Sequence, residues 1–296
     1  MILEKLTDII RKRSLPIYTV ASAFSEDDIR VENCIPGNLC NNLYSIAKNF
    51  TATAVGILYD RGQLSLSDDV WTLFHDDYPD ISEKWKKVTV HHVLTQTIGL
   101  RLGFLDVDVE DTALYPTTDY LKMVLEHRFS CAPGKRFCYS DSNYYLLSRI
   151  VHKVSGEELF QFLRRELFNP LGFTAPAWAV CPNGHAMGAT GMFCSVKDMI
   201  KLGVLYANGG TWKGQRIISE EWIKEASLPH AAGWYGYSFR MNGDAPWYGC
   251  GGMFGQKMFI PREKGKAVIA WSAYDADEDS DSTDVLIPMI DEYYRS

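Results

Sequence analysis

A serine and a lysine one helical turn apart are the first residues of this chain whose types and spacing could do chemistry. Ser45 and Lys48 form an S-x-x-K pattern, and the apolar residues that follow at helical spacing predict a helix that carries both side chains on one face. A hydroxyl at a helix start beside an ammonium could act as a nucleophile, with its own backbone N–H facing a developing oxyanion. The pattern is short, so an N-cap serine followed by a solvated lysine remains the local alternative.

The elements that must position these groups follow from the spacing of apolar residues. An amphipathic helix is predicted over residues 2–13 and a strand over 17–24. The other end of the chain predicts strands over 235–241, 253–260 and 266–273 and a closing helix over 285–294. Helical patterns lie between these ends, at 45–59, 90–95, 118–126, 142–154, 158–167, 196–208 and 220–226.

This distribution of elements predicts an α/β (α+β) fold. An antiparallel sheet would be built from both chain ends and flanked by the terminal helices, with a helical lobe inserted. Because no linker-like segment interrupts the chain, we expect one domain over 1–296. Its sheet lobe would comprise about 1–44 plus 228–296 and its helical lobe about 45–227, with the site in the cleft between them.

Composition excludes several classes of protein. The 296 residues are 46% hydrophobic and 23% charged, which is typical of a globular protein and not of a disordered one. The net charge of -7 disfavours binding to nucleic acid or to an anionic membrane. We find neither a secretory signal pattern nor a run of apolar residues long enough to span a bilayer. Seven cysteines without a C-x-x-C spacing favour a reducing compartment, so we expect a cytoplasmic protein, with a mature fragment of an exported protein as the alternative.

Four sequence blocks together resemble a known superfamily. They are LYSIAKNFTATAVGILYDRGQLSLSDDV, VTVHHVLTQTIGL, PGKRFCYSDSNYYLLSRIVHKVSG and GCGGMFGQKMFIPREKG. Their order and spacing resemble the serine β-lactamase and penicillin-binding-protein superfamily, and most closely its class C β-lactamase and esterase-like branch. The resemblance implies a serine acyl-transfer enzyme with a sheet lobe and a helical lobe.

The resemblance also assigns roles to single residues. It places the nucleophile at Ser45, the family lysine at Lys48, and the tyrosine of a Y-x-N motif at Tyr139. A lysine or a tyrosine can take the serine proton only where the site lowers its pKa, and an adjacent ammonium favours a phenolate. Lys48 and Tyr139 would therefore titrate as a coupled pair, and either could be the base.

A third motif, K-T-G or H-x-G in the family, aligns with Cys250-Gly251-Gly252. The resemblance implies a strand whose small residues lie against the substrate, with the N–H of Met253 joining that of Ser45 in an oxyanion hole. Two positions depart from the family pattern: Cys250 replaces a cation or imidazole, and Asp141 replaces an asparagine expected next to the substrate. Both changes argue against efficient hydrolysis of β-lactams. A third departure, at Gln96, is expected to be structural.

These observations predict a serine hydrolase that forms an acyl-enzyme on an ester or amide of a small molecule or peptide. Esterase, D-amino-acid peptidase and β-lactamase-like activities stay open, as does the oligomeric state. The alternative is a non-hydrolysing binding or sensor domain on the same scaffold. A thiol enzyme built on Cys250 and a calcium loop in the acidic run 275–284 are disfavoured, and we expect no cofactor and no metal.

The sequence indicates least about the surfaces that would face a substrate. The loops 101–119 and 178–187 are expected to shape the substrate cleft. Aromatic residues in the neighbouring segments are candidates for its apolar walls, although a core position is at least as compatible with each. These residues are Phe104, Trp234, Trp247 and Tyr248.

Overall fold

A computed structural model describes residues 2–230, 232–274 and 281–296. The helices are α1 (Ile2–Arg13), α2 (Ala47–Asp60), α3 (Val70–Phe74), α4 (Val90–Leu94), α5 (Tyr120–Leu125), α6 (Asp141–Ser155), α7 (Leu159–Leu163), α8 (Val196–Ala207), α9 (Glu220–Ala226) and α10 (Asp281–Arg295). The strands are β1 (Ile17–Ala23), β2 (Ile29–Asn33), β3 (Cys40–Asn42), β4 (Ala177–Trp178), β5 (Met192–Ser195), β6 (Thr211–Trp212), β7 (Gln215–Arg216), β8 (Arg240–Met241), β9 (Trp247–Gly252), β10 (Gln256–Pro261) and β11 (Val268–Ala273).

The main sheet joins the two ends of the chain, as the sequence predicts. Its strand order is β2-β1-β11-β10-β9-β8, with every neighbouring pair antiparallel. The first strand pairs with the last over most of its length, from Ile17 opposite Ala273 to Ala23 opposite Val268. This pairing brings segments that are 250 residues apart into hydrogen-bonding contact, so the sheet forms only when both ends are present.

Helices cover both faces of this sheet because its central strand is apolar on both sides. All six residues of β11 are buried, and successive side chains point to opposite faces. Ile269 and Trp271 pack with α1 and α10, whereas Val268 and Ala270 pack in the larger core that includes α8, α2 and α6. Two cores therefore share one sheet. The division at residue 227 between the two lobes stays a prediction, although α8 packs on the sheet from the helical side of that boundary.

A buried helix at the centre of the larger core carries the S-x-x-K segment. Twelve of the fourteen residues of α2 are buried, including the polar Lys48, Asn49, Thr51 and Thr53. Helix α6 packs against it and ends at Gly156, whose φ of 74° is the left-handed C-terminal geometry that glycine favours. The helical predictions along the chain agree with observed helices to within a few residues, and 158–167 divides into α7 and a π-helical turn at Arg164–Phe168.

The strand predictions need correction in several places. Of the strand predicted over 235–241 only β8 forms, since Ser238 has a left-handed φ of 71° and interrupts the extended backbone. The strand predicted over 253–260 begins at Gln256, after a 3-10 turn in which Phe254 has a φ of 58°. Strands β2 to β7 were not predicted from the sequence, because short strands carry little periodicity, and β9 was expected only from the family resemblance.

Two further findings concern membrane crossing and the acidic run. Among the helices of the described residues, none has the length and apolar content needed to cross a membrane. The acidic run predicted as a solvated loop over 275–284 falls mostly on residues 275–280, which lie outside the described residues. Its last residues instead begin α10, the closing helix.

Candidate active site

Ser45 lies in a tight turn that leads into the buried helix. The turn spans Tyr44–Ile46 and continues directly into α2. Tyr44 has a left-handed φ of 48°, which costs a non-glycine residue about 1–2 kcal/mol, and its N–H donates to the side chain of Asn42 over 2.9 Å. Backbone strain of this kind is common at functional sites, where the surrounding structure enforces it. Here it places Ser45 on the wall of a cavity.

Three groups predicted to react lie in mutual contact. Lys48 Nζ is 3.1 Å from Ser45 Oγ, and the Tyr139 hydroxyl is 2.9 Å from the same oxygen. The Lys48 ammonium also lies 4.8 Å from the centroid of the Tyr139 ring. Tyr139 comes from the segment before α6, 94 residues along the chain. The arrangement therefore brings together the three residues that the resemblance assigned to catalysis.

Lys48 is held as a buried cation. Its side chain is 1% exposed, and besides Ser45 it donates to the carbonyl of Ala189 over 3.0 Å and pairs with Asp141 Oδ1 over 2.7 Å. Burial alone would lower the pKa of Lys48, but the charges of Tyr139 and Asp141 and their hydrogen bonds raise it above its ordinary value. All three ammonium hydrogens have acceptors. Lys48 therefore keeps its proton at neutral pH.

Asp141 is the first residue of α6 and lines the same cavity as Ser45. Its side chain is 5% exposed and lines the cavity, where the sequence analysis expected a residue next to the substrate. The Asp141 carboxylate forms an ion pair with the Lys48 ammonium. The asparagine of the family pattern would contribute no charge at this position. A carboxylate at a helix N-terminus is also favoured by the helix dipole. The ion pair neutralises part of the positive charge that would otherwise act on Ser45 and Tyr139.

The third motif lies on β9 and contributes its glycines. Gly251, Gly252 and Met253 line the cavity. A Cβ on Gly252 would lie 2.2 Å from the Leu43 carbonyl oxygen, so only glycine allows the strand end to approach the Ser45 turn so closely. This approach places Met253, the predicted second oxyanion donor, at the wall that also carries Ser45.

Cys250 has a different environment from the residues that follow it. Its side chain is buried in the larger core, and the thiol is absent from the described lining of the cavity. Burial raises the pKa of Cys250 to about 12, with Arg240 and Lys257 acting weakly in the opposite direction. A thiol with this pKa stays protonated at neutral pH, which weighs against the alternative of a cysteine nucleophile.

Charged side chains dominate the cavity, which measures about 190 Å³. Asp106, Asp108 and Asp141 each place a carboxylate oxygen within 4.8 Å of the others. Burial and the neighbouring carboxylates raise the pKa of Asp106 to about 6, and burial raises the pKa of Asp108. The lining residues are Ser45, Asp106, Asp108, Tyr139, Asp141, Arg240, Gly251, Gly252, Met253, Gly255 and Lys257.

Two basic residues of this lining were missed by the sequence analysis. Lys257 lies on β10 directly opposite Gly251 of β9, and a Cβ on Gly251 would lie 3.2 Å from Lys257 Nζ. Arg240 lies on β8, which pairs with the other edge of β9. Cations on both neighbouring strands thus flank the position where Cys250 replaces the family's cation or imidazole. A lysine inside the otherwise apolar run of β10 was the available signal for Lys257.

The predicted substrate surfaces are only partly observed. Loop 101–119 contributes Asp106 and Asp108, but none of the four predicted aromatic walls is among the described cavity residues. Trp247 and Tyr248 are buried in the two cores, Phe104 stacks on His127 at 4.3 Å, and Trp234 is 40% exposed. No described residue of loop 178–187 lines the cavity either.

Gln96, which was expected to be structural, holds the Tyr139 segment in place. Its buried side-chain oxygen accepts from the Ser140 N–H over 3.0 Å and from the side chain of Asn143. Its amide donates to the Tyr235 hydroxyl over 3.5 Å. Since Ser140 follows Tyr139, Gln96 fixes the backbone that carries the phenol, without touching the cavity itself.

Two groups of described residues combine side chains that bind metals. One is the carboxylate group of the cavity, where the Lys48 ammonium already pairs with Asp141 over 2.7 Å and competes with any other cation. The other comprises His91, Glu225 and His230, outside the cavity. No metal was expected from the sequence, and the second group was not apparent from sequence spacing because His91 lies far along the chain from Glu225 and His230.

Comparison with known proteins identifies the family. The Beta-lactamase family model matches residues 37–287. Penicillin-binding protein 4 of Amycolatopsis lactamdurans is 33% identical over 129 residues, which are 43% of this chain and 33% of that protein. The matches with the first curated relatives span 28–33% of the length of those proteins.

Solved structures share the whole fold at low sequence identity. The octameric penicillin-binding protein homologue from Pyrococcus abyssi has a TM-score of 0.71 and 21% identity, over 93% of this chain and 74% of that one. The penicillin binding protein from Bacillus halodurans has the same TM-score and 18% identity, over 96% of this chain and 99% of that one. These comparisons confirm the superfamily and the fold expected from the four sequence blocks. The chain belongs to the beta-lactamase family, whose fold and named relatives support a serine hydrolase-like function in the broad sense.

Proposed function

We propose that the protein is a serine hydrolase that forms a covalent acyl-enzyme at Ser45 with an ester or amide substrate. The observation that carries this proposal is the contact of Ser45 Oγ with both Lys48 Nζ and the Tyr139 hydroxyl, at 3.1 and 2.9 Å, on the wall of an open cavity. A serine needs an adjacent group that takes its proton, and this arrangement supplies one within hydrogen-bonding distance.

Tyr139 is the proposed base, a choice that the sequence left open. Lys48 already has three acceptors and a raised pKa, so it has no lone pair to offer near neutral pH. In the proposed step the anionic oxygen of Tyr139, stabilised by the Lys48 charge, takes the proton of Ser45 as Oγ bonds to the substrate carbonyl carbon. Collapse of the tetrahedral intermediate breaks the bond to the leaving group, which receives that proton from Tyr139.

Deacylation repeats these transfers with water. Tyr139 takes a proton from a water molecule that attacks the acyl carbon, and returns it to Ser45 Oγ as the acyl–oxygen bond breaks. The backbone N–H groups of Ser45 and Met253 are the proposed donors to the oxyanion in both halves of the reaction. The products are a carboxylic acid and an alcohol or amine, and the enzyme returns to its starting state.

The cations of the cavity favour a substrate that carries a carboxylate. Lys257 lies over Gly251, where a substrate chain would run along β9, and Arg240 reaches the same cavity from β8. Charge-assisted hydrogen bonds from two cations are strong enough to orient a carboxylate. We therefore propose that Lys257 and Arg240 together take over the role that Cys250 does not fill.

Covalent labelling tests the nucleophile. A fluorophosphonate probe followed by peptide mass spectrometry should label Ser45 in the wild-type protein and nothing in Ser45→Ala, while the exposed-loop variant Ser67→Ala should label normally. Labelling at another residue, or labelling that survives in Ser45→Ala, would refute the proposal.

Turnover distinguishes the hydrolase from the binding or sensor alternative. The observation that favours the alternative is the Lys48–Asp141 pair, which reduces the positive charge available to Tyr139 during deacylation. With a p-nitrophenyl ester, a hydrolase gives a sustained rate, whereas a sensor gives a single burst of about one equivalent per protein. A burst without sustained release would replace the hydrolase by the sensor.

A further inference from the structure

Three side chains from separate segments converge outside the catalytic cavity. His91 lies on α4, Glu225 on α9 and His230 in the segment that follows α9. Each can offer one donor atom such that all three atoms lie within 4.8 Å of one another. Two imidazoles and one carboxylate form a ligand set that zinc accepts in sites with an open position.

The three side chains face each other without bonding to each other. His230 Nε2 lies 3.7 Å from Glu225 Oε1, too far for a hydrogen bond, and 3.1 Å from the backbone carbonyl oxygen of Glu225, a contact that a metal bound to this nitrogen would replace. The rings of His91 and His230 meet edge to face at 5.1 Å. Ligand atoms around a tetrahedral zinc ion lie about 3.4 Å apart, for bonds of about 2.0–2.2 Å. The donor atoms lie within 4.8 Å of one another, so their separations exceed those around a bound ion by at most about 1.4 Å. Side-chain rotation can close a gap of this size, since Glu225 is 39% exposed.

Tyr237 fixes the orientation of the group. Its hydroxyl is 2.8 Å from His91 Nδ1 and donates to Glu225 Oε1 over 3.4 Å, and its ring stacks on that of His230 at 4.7 Å. Metal-binding side chains are typically held by outer partners of this kind, which reduce the entropy lost on binding.

A second histidine–glutamate group in the chain shows the contrast. His152 Nδ1 and His185 Nδ1 lie 3.0 and 2.9 Å from the same oxygen of Glu158, and Arg149 lies 3.8 Å from it. Here the carboxylate is already contacted by both rings and by a guanidinium, which would repel a metal ion. This group provides a control of the same composition.

We infer that His91, Glu225 and His230 form a binding site for a divalent transition metal of the zinc type, with solvent at its open position. The bound ion would tie α4 to α9 and to the segment that follows α9. Helix α4 leads directly to Gln96, which holds the Tyr139 segment. The ion therefore stabilises the part of the fold behind the active site without contacting the cavity.

Metal titration of the intact chain tests this site. The protein is treated with EDTA and its cysteines are alkylated so that thiolates cannot bind the probe, and Zn²⁺ and Co²⁺ are then titrated. We expect one ion per chain, a rise in Tm with Zn²⁺, and a Co²⁺ spectrum without a thiolate charge-transfer band. Failure of the folded, alkylated protein to bind either ion would refute the site.

Variants locate the ligands. His91→Asn, Glu225→Gln and His230→Asn should each weaken Zn²⁺ binding by about tenfold or more. His152→Asn, from the control group, should bind as the wild type does. Glu225→Gln retains the size of the side chain and an acceptor for Tyr237, so its metal-free Tm should stay near that of the wild type. Unchanged affinity in Glu225→Gln and His230→Asn, or a loss confined to His152→Asn, would place the ion elsewhere and overturn the inference.

Discussion

At the scale of single residues, the charge balance around Ser45 distinguishes this site from the family pattern. Lys48 shares its hydrogens among Ser45, Asp141 and a backbone carbonyl, so its charge is divided between the nucleophile and a buried carboxylate. Tyr139 contacts Ser45 but is not itself paired with a carboxylate in the described contacts. In the proposed mechanism, proton transfer through Tyr139 therefore depends on how much of the Lys48 charge Asp141 neutralises.

Removing the Tyr139 hydroxyl tests its role as base. Tyr139→Phe should lower kcat for a p-nitrophenyl ester by about a hundredfold or more, since general acid–base catalysis contributes on that order. The fold should persist, because the ring and its contacts stay in place. Phe137→Leu, which removes neighbouring aromatic packing and leaves the hydroxyl, is a suitable control. A kcat that is unchanged in Tyr139→Phe would exclude the phenol from the mechanism.

Replacing Asp141 by asparagine tests the charge balance directly. Asp141→Asn removes the negative charge that pairs with Lys48, so more of the Lys48 positive charge acts on the proposed proton transfer from Ser45. We expect the ascending limb of the pH dependence of kcat/KM to move to lower pH. A limb that stays in place, or moves to higher pH, would show that Asp141 does not act on the proton transfer.

Asp106 gives a pH dependence of stability whose sign follows from its pKa. The pKa is raised from 3.8 to about 6 by burial and by neighbouring carboxylates, so the folded protein holds a proton that the unfolded chain releases. The stability linked to this proton is complete below pH 3.8 and is lost as the pH rises to about 6. Asp106→Asn should therefore be more stable than the wild type in urea near neutral pH, with the difference reduced at acidic pH. A difference that is independent of pH would contradict this account.

At the scale of elements, the site depends on a close approach between the end of β9 and the turn before α2. Gly252 allows this approach, and Phe254, with its left-handed φ of 58°, packs edge to face on Tyr44 at 5.2 Å. Two residues with strained, left-handed backbone geometry thus pack against each other next to Ser45. The geometry of the proposed oxyanion donors, the backbone N–H groups of Ser45 and Met253, therefore depends on both segments together.

A single methyl group should disturb this junction. Gly252→Ala places a Cβ 2.2 Å from the Leu43 carbonyl oxygen, so the strand end must move away from Ser45. We expect kcat to fall by about a hundredfold, the effect of losing one oxyanion donor, with a smaller change in Tm. Gly37→Ala is the matched control, because its Cβ would meet Tyr18 at an ordinary 3.4 Å. Equal activity in the two variants would place the oxyanion donors elsewhere.

At the scale of the whole molecule, one sheet separates two hydrophobic cores that contain different helices. The larger core contains α2 and α6, the helices next to the proposed catalytic residues, whereas the smaller one lies between the sheet and the terminal helices. Leu6 of α1 is fully buried in the smaller core. Because β1 pairs with β11, the terminal helices and strands support the sheet on which the third motif lies.

Truncation in the smaller core should affect stability and not chemistry. Leu6→Ala should lower the free energy of unfolding by about 2–5 kcal/mol, the usual cost of a buried leucine. At a temperature where the variant is folded, kcat should stay close to that of the wild type. Lys5→Ala, on the exposed face of α1, is the control in chemical denaturation. A loss of kcat in the folded Leu6→Ala protein would show that the two cores are coupled.

The sequence by itself determined the family and most helices, and it predicted the candidate catalytic residues that the structure brings into contact. The S-x-x-K spacing and the helical pattern after it are local, and the four blocks supplied Tyr139 and the glycine-rich strand, because these features lie within short stretches of chain. The pairing of the two chain ends also followed from the position of the apolar strands.

Tertiary structure decided which charges meet. Residues from separate segments of the chain meet in the folded protein. Lys48 pairs with Asp141, and Gln96 supports Ser140. Lys257 and Arg240 enter the cavity from the strands on either side of Cys250. The convergence of His91 with Glu225 and His230 is of the same kind. Side-chain type and local spacing fix which helix or strand forms, but distances between charges depend on how those elements pack, and packing is set by contacts across the whole chain.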